Sequence, residues 1–257
     1  MITKRKIFKA KDNSKDMATQ NKTYQPRVVR GRIELWTPYN NGEIAFAFPS
    51  EGPGTYRNVG AKILGKGQKV PHGDYTASLS HAAYCNDAGK ESEFQNVREI
   101  MRNKWLWVFN INGWTENGVY VIQDLEALGR SQPLDVKDLE KRLKGGKELN
   151  WGGIRFSEDE RVRFAPKESY RLGEHTSKSL AKDGFIIASC GVEGAEKLGE
   201  VSSKLKFEPV TYGVNVEQGQ KIEQRVSALD EYDDRLLFVG YLWDVDYDYG
   251  GSAFGVL

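Results

Sequence analysis

The chain has 257 residues, 39% hydrophobic and 28% charged, which is enough apolar content for a folded core and too much for a disordered chain. Its formal net charge of +1 excludes a protein that binds polyanions through its overall charge. The charge is nonetheless uneven: residues 1–32 hold ten Lys or Arg and two Asp, a net of +8, so the other 225 carry −7.

Cys85 and Cys190 are the sole cysteines, too few for a disulfide framework, and they point to a reducing, cytoplasmic setting. Lys4, Arg5 and Lys6 are not followed by an apolar stretch, so no secretory signal is expected. The longest apolar run, Leu236 to Trp243, falls well short of the ~18 residues of a spanning helix. No membrane association is expected, and no internal repeat is visible.

Residues 1–25 are polar, basic and aperiodic, and predict a flexible arm ahead of one globular domain over 26–257, with a subdivision near 130–150 left open. As partner for residues 1–32 the charge suggests a nucleic acid or a protein, the chain's own acidic end included. From Arg27 the pattern is extended, with Val28, Val29, Ile33, Leu35 and Trp36 leading through Asn40-Asn41-Gly42 into Ile44 to Phe48, a hairpin signal. Glycines 52, 54, 60, 65 and 67 with Arg57, Lys62, Lys66 and Lys69 predict a basic surface loop. It lacks the Lys-Ser/Thr ending of a phosphate-binding loop.

A short helix is expected from Asp74 as N-cap, with Tyr75, Leu79 and Ala82 on one side. His81 and Cys85 lie four apart on it, which puts both on one face. That suits either two metal ligands or a Cys–His nucleophilic pair, against the plainer alternative of a buried thiol beside a surface histidine. Ser92 and Gln95 form a capping-box pattern ahead of a stripe of Phe94, Val97, Ile100 and Met101. Trp105 to Phe109 is apolar on both faces and predicts a central strand, with a turn at Asn112-Gly113 and a return at Val119 to Ile122. Leu134, Val136, Leu139 and Leu143 make an amphipathic helix, and Ile154 to Phe156 and Val162 to Phe164 make a hairpin around Glu158-Asp159-Glu160.

The stretch 184–214 predicts a strand–helix–strand unit. Phe185 to Ser189 supplies the first strand, Leu198, Val201 and Leu205 the helical stripe, and Pro209 to Val214 the second strand. Between them Cys190-Gly191-Val192-Glu193-Gly194 resembles a loop at a helix N-terminus, where free amides favour an anion and would activate a thiol. Gly191, Glu193 and Gly194 are the candidate ligand-binding residues, and Cys190, with His81 and Cys85, a candidate catalytic one. The flanking positions do not fit a nucleophile elbow or a dinucleotide loop, so a plain crossover competes with both. His175 stands among polar residues.

Ile222, Val226 and Leu229 suggest a strand, Asp230 to Asp234 a charged turn, and Leu236 to Tyr241 the most hydrophobic strand. Asp244, Asp246 and Asp248 alternate like the start of a calcium-binding loop. Tyr249 and Gly255 replace its glycine and closing glutamate, so a solvated acidic edge competes with a metal site. Residues 230–248 hold seven acids and one Arg, a net of −6. The sum is an α+β, hairpin-rich protein with no cofactor motif. Its expected function is that of a non-catalytic binding or interaction module. The alternatives are a cysteine-dependent or anion-binding enzyme and a nucleic-acid binder.

Overall fold

The computed structural model describes residues 24–31, 33–131, 133–150, 152–243 and 250–257. The basic arm, apart from Tyr24 and Gln25, and the triad Asp244, Asp246 and Asp248 lie outside the described residues.

Three antiparallel strands open the chain: β1 (Arg27–Val29), β2 (Glu34–Tyr39) and β3 (Gly42–Ala47). The β2–β3 turn is the tight hairpin expected, but its two residues of positive φ are Asn40 (45°) and Asn41 (61°), with Tyr39 paired to Gly42. β4 (Glu51–Gly54) and the helix α1 (Tyr56–Gly65) replace the predicted glycine-rich loop. Thr55 caps α1 by accepting from Asn58 N at 3.3 Å, and Tyr56, Val59, Gly60 and Ile63 form its buried stripe. The glycines hid a helix that tertiary burial stabilises.

Next come α2 (Gly73–Cys85), α3 (Ser92–Asn103), β5 (Leu106–Thr115) and β6 (Gly118–Gln123). The N-cap of α2 is His72 rather than Asp74, which sits inside the first turn, and that of α3 is Glu91 rather than Ser92. β5 is the central strand, buried on both faces as its sequence predicts. Leu106, Val108 and Trp114 enter one cluster, and Trp107 and Phe109 another. Asn112-Gly113 is not a turn but lies within β5, where Asn112 Nδ2 donates to Ser227 Oγ (2.7 Å) and Gly240 O (3.0 Å). Those two bonds satisfy the amide nitrogen inside the sheet, while Oδ1 is buried without a hydrogen-bond partner among the described residues.

α4 (Val136–Leu143), β7 (Lys147–Glu148), β8 (Arg155–Phe156), β9 (Val162–Pro166), β10 (Gly173–Glu174) and α5 (Ser177–Leu180) lead to α6 (Gly184–Ser202). The strand expected at Phe185 to Ser189 is the first part of α6, so the unit at 184–214 is helix, break, helix and then β11 (Phe207–Tyr212). Asp183 starts the helix, its carboxylate accepting from Phe185 N (3.0 Å) and Ile186 N (3.2 Å). The apolar run is buried all round, which suits a core helix as well as a core strand.

The strands β12 (Glu223–Tyr232), β13 (Arg235–Leu242) and β14 (Gly251–Ala253) complete the chain. The main sheet runs β10-β11-β13-β12-β5-β6-β9-β8-β7, antiparallel except for β11 with β13, and β14 joins it beside β5 and β4. Helices α2, α3 and α6 pack on the face of Leu106 and Val108. By strand alternation α1 and α4 cover the other. The result is the α+β class expected from the sequence. None of the described helices is long and apolar enough to cross a membrane.

The predicted charged turn at 230–234 is narrower than expected: Asp230, Glu231 and Tyr232 belong to β12, and Asp233 (φ 55°) and Asp234 (φ 56°) make the turn. Burial, helped by the charge of Glu231, raises the Asp230 carboxyl to about 6, against a backbone hydrogen bond that lowers it. A carboxyl raised in the folded state contributes stability that is full below its ordinary value of 3.8 and is lost as pH rises through about 6. Asp230→Asn is therefore expected to be more stable than the wild type above pH 7 by about 1 kcal/mol after solvent screening. The difference should vanish near pH 4 in urea melts followed across pH.

Candidate functional site

Two helices organise the site. α2 and residues 192–202 of α6 run side by side in the same direction. Gly73 lies against Ser189, Ala77 beside Gly194, Ser78 bonded to Lys197 and His81 to Glu200. The approach is closest at Gly73, where a Cβ would stand 1.9 Å from Ser189 O. Asn110 fixes this crossing from β5, donating from Nδ2 to Ser189 O (2.9 Å) and accepting from Gly73 N (3.4 Å). Between the two parts of α6, Gly191 takes φ 70° and ψ 172°, a left-handed geometry that favours glycine and breaks the helix.

At that break a cleft of about 360 Å³ opens between the β2–β3 turn, α2, the β7–β9 region and residues 190–196. Its floor is an ion pair. Arg163 Nη1 and Nη2 donate to Asp74 Oδ1 and Oδ2, both at 2.8 Å, and Nη1 also to Ala188 O at 3.3 Å. Arg163 Nε donates to Glu160 O (3.1 Å) and the guanidinium lies over the Phe156 ring at 4.6 Å. Arg163 is 2% exposed and Asp74 8%, so the pair is dry and every polar atom of the guanidinium is engaged. Burial alone would raise the Asp74 carboxyl. The Arg163 charge, with hydrogen bonds from His72 and Arg163, outweighs it and holds the group well below the ordinary carboxylate range.

The Asp74 carboxylate faces Gly191, with Oδ2 2.9 Å from where a Cβ would lie. The protein's own anion thus stands against the start of the helical segment 192–202, the place where free amides would draw one. Around the mouth, Glu193 pairs with Lys197 (2.6 Å) and accepts from Asn40 N (3.3 Å), Glu160 pairs with Lys147, and Glu196 adds a fourth carboxylate. Lys197 also donates to Pro38 O and Ser78 Oγ, both at 2.9 Å, tying β2 to the helix pair. The Tyr39 phenol is held protonated by burial first and by Asp74 second.

Of the residues singled out from the sequence, Cys190, Gly191, Glu193 and Gly194 all line this cleft. Burial, reinforced by Asp74, pushes the Cys190 thiol well above its ordinary value, the opposite of an activated nucleophile. His81 and Cys85 are at the other end of the helix pair, where Glu200 joins them. There burial and then Glu200 push the Cys85 thiol up to about 11. The His175 ring bonds to Thr211 Oγ1 (3.0 Å) and Arg171 O (3.1 Å) rather than to a cysteine. Both cysteines are free thiols.

Sequence reasoning missed Asp74 as a site residue, and with it Arg163, Tyr39 and Glu200. For Arg163 a signal existed, since a charged residue between Val162 and Phe164 in a short strand must find a partner if its face is buried.

No known protein family, no curated protein and no solved structure matches the chain.

Proposed function

We propose that the chain is a non-catalytic binding module whose seat is the cleft at the break in α6. Its ligand is a small polar cation that carries ammonium or guanidinium groups. The observation that carries this reading is the placement of Asp74 against Gly191. With that position taken by a carboxylate already paired to Arg163, a second anion at the break would meet like charge. With Asp74 and Arg163 neutralising each other below, the groups left towards solvent favour a cation: Glu160, Glu193 and Glu196 face Lys147 and Lys197, an excess of one negative charge. Aromatic walls from Tyr39 and Phe156 suit the apolar part of such a ligand. A cysteine-dependent reaction is disfavoured by the protonated, fully enclosed Cys190 thiol.

Calorimetric titration tests the proposal, with agmatine as the cationic probe and inorganic phosphate as the anionic one. Agmatine should bind and phosphate should not. Glu193→Gln with Glu196→Gln should weaken agmatine by about tenfold, the worth of one charge-assisted hydrogen bond. Phosphate binding that these substitutions strengthen would reverse the assignment and restore the anion site.

A further inference from the structure

We propose that His81, Cys85 and Glu200 form a binding site for a divalent transition ion of the zinc type, at the end of the α2–α6 pair opposite the cleft. Their ligand atoms already lie within 4.8 Å of one another. Around a tetrahedral ion with bonds of 2.0–2.3 Å such atoms stand about 3.5 Å apart, so small side-chain rotations complete the geometry. His81 and Cys85 share a face of α2 by their spacing of four. Glu200 reaches them across the parallel contact, its carboxylate 2.6 Å from His81 Nε2.

Two further features favour a cation. Cys85 is the last residue of α2, and Glu200 stands two residues before the end of α6 at Ser202, so the negative ends of two helix dipoles meet here. One thiolate and one carboxylate neutralise a divalent ion, and a thiolate–imidazole–carboxylate set prefers zinc or cobalt to calcium or magnesium. The His81 ring is also held from outside, with Nδ1 3.4 Å from the Asn86 side-chain amide.

Binding makes three bonds to the ion and breaks the His81–Glu200 hydrogen bond. The thiol proton of Cys85 leaves to solvent, the Nε2 proton of the neutral imidazole passes through solvent to Nδ1, and the Asn86 amide, whose Nδ2 faces Nδ1, turns so that its oxygen accepts that proton. Glu200 is the most exposed of the three, with a side chain 66% exposed, which leaves the fourth coordination position open to water.

The test is a cobalt(II) titration of the untagged, chelator-treated full chain. One ion per chain should bind, giving visible tetrahedral d–d bands and a near-ultraviolet thiolate-to-cobalt band. Cys85→Ser should abolish the thiolate band. Cys85→Ser, His81→Gln and Glu200→Gln should each lower affinity by at least about tenfold, the lower end of what an outer contact to a metal ligand is worth. Asp138→Asn, an exposed carboxylate on α4 across the sheet, should leave binding unchanged. Glu200 is a surface side chain, so its variant keeps the test informative if another substitution disturbs folding, which circular dichroism monitors. Failure to bind cobalt, cobalt without a thiolate band, or binding unaffected in Glu200→Gln overturns the site. None of these results bears on the cleft.

Discussion

Arg163→Ala is expected to destabilise the protein by about 3–5 kcal/mol, seen as a fall of roughly 10 °C in the thermal midpoint. The reason is what the substitution leaves behind. Asp74 is 8% exposed, and without the guanidinium its carboxylate is left beside His72, whose Nδ1 stands 3.4 Å from Oδ1. An unpaired buried charge is costly whatever the pair itself contributes. The same logic predicts strong non-additivity: Asp74→Asn with Arg163→Met removes both charges and should recover most of the loss. If the double variant is as unstable as the sum of the two single ones, the pair is not a coupled unit.

Gly73→Ala sets two effects against each other. Alanine is the better helix former by about 1 kcal/mol, and Gly73 is the first residue of α2. Its Cβ, however, would meet a backbone oxygen, Ser189 O, at 1.9 Å. That oxygen cannot step aside alone, because Asn110 Nδ2 holds it at 2.9 Å. The helices would have to separate, and in a close-packed interior such overpacking costs about 1–3 kcal/mol. The clash wins, and the variant should lose about 2 kcal/mol in urea unfolding. Gly65→Ala is the matched control. Nothing lies within 4 Å of its Cβ position at the end of α1, so it should be neutral or slightly stabilising.

The central strand was legible because its period-two alternation carries apolar residues on both faces, and β5 is buried along nearly all its length. The α2 helix was legible from Tyr75, Leu79 and Ala82, and the hairpin at Asn40-Asn41 from turn chemistry. The first part of α6 was not. Phe185 to Ser189 is too short and too uniformly apolar to show any period, and the polar Gly191-Val192-Glu193 divides a 19-residue helix into two short stretches. The distinguishing residue was Asp183, which looks like a turn but caps the helix. The cleft loop was legible in outline, since its glycines and cysteine were singled out. Its floor was not, because Asp74 and Arg163 are 89 residues apart and only the packing of β9 beneath the helix pair joins them. Glu200 was hidden in the same way, 119 residues from His81.

The central claim is that the cleft at the α6 break is the ligand seat, and amide chemical-shift mapping during an agmatine titration of the nitrogen-15-labelled protein tests it most directly. The account predicts shifts concentrated at Asn40, Ser78 and Val192 to Gly194, the residues that surround the cleft. Shifts gathered instead around the second cavity, between Gln123, Gly129, Leu139 and Arg142, would contradict it.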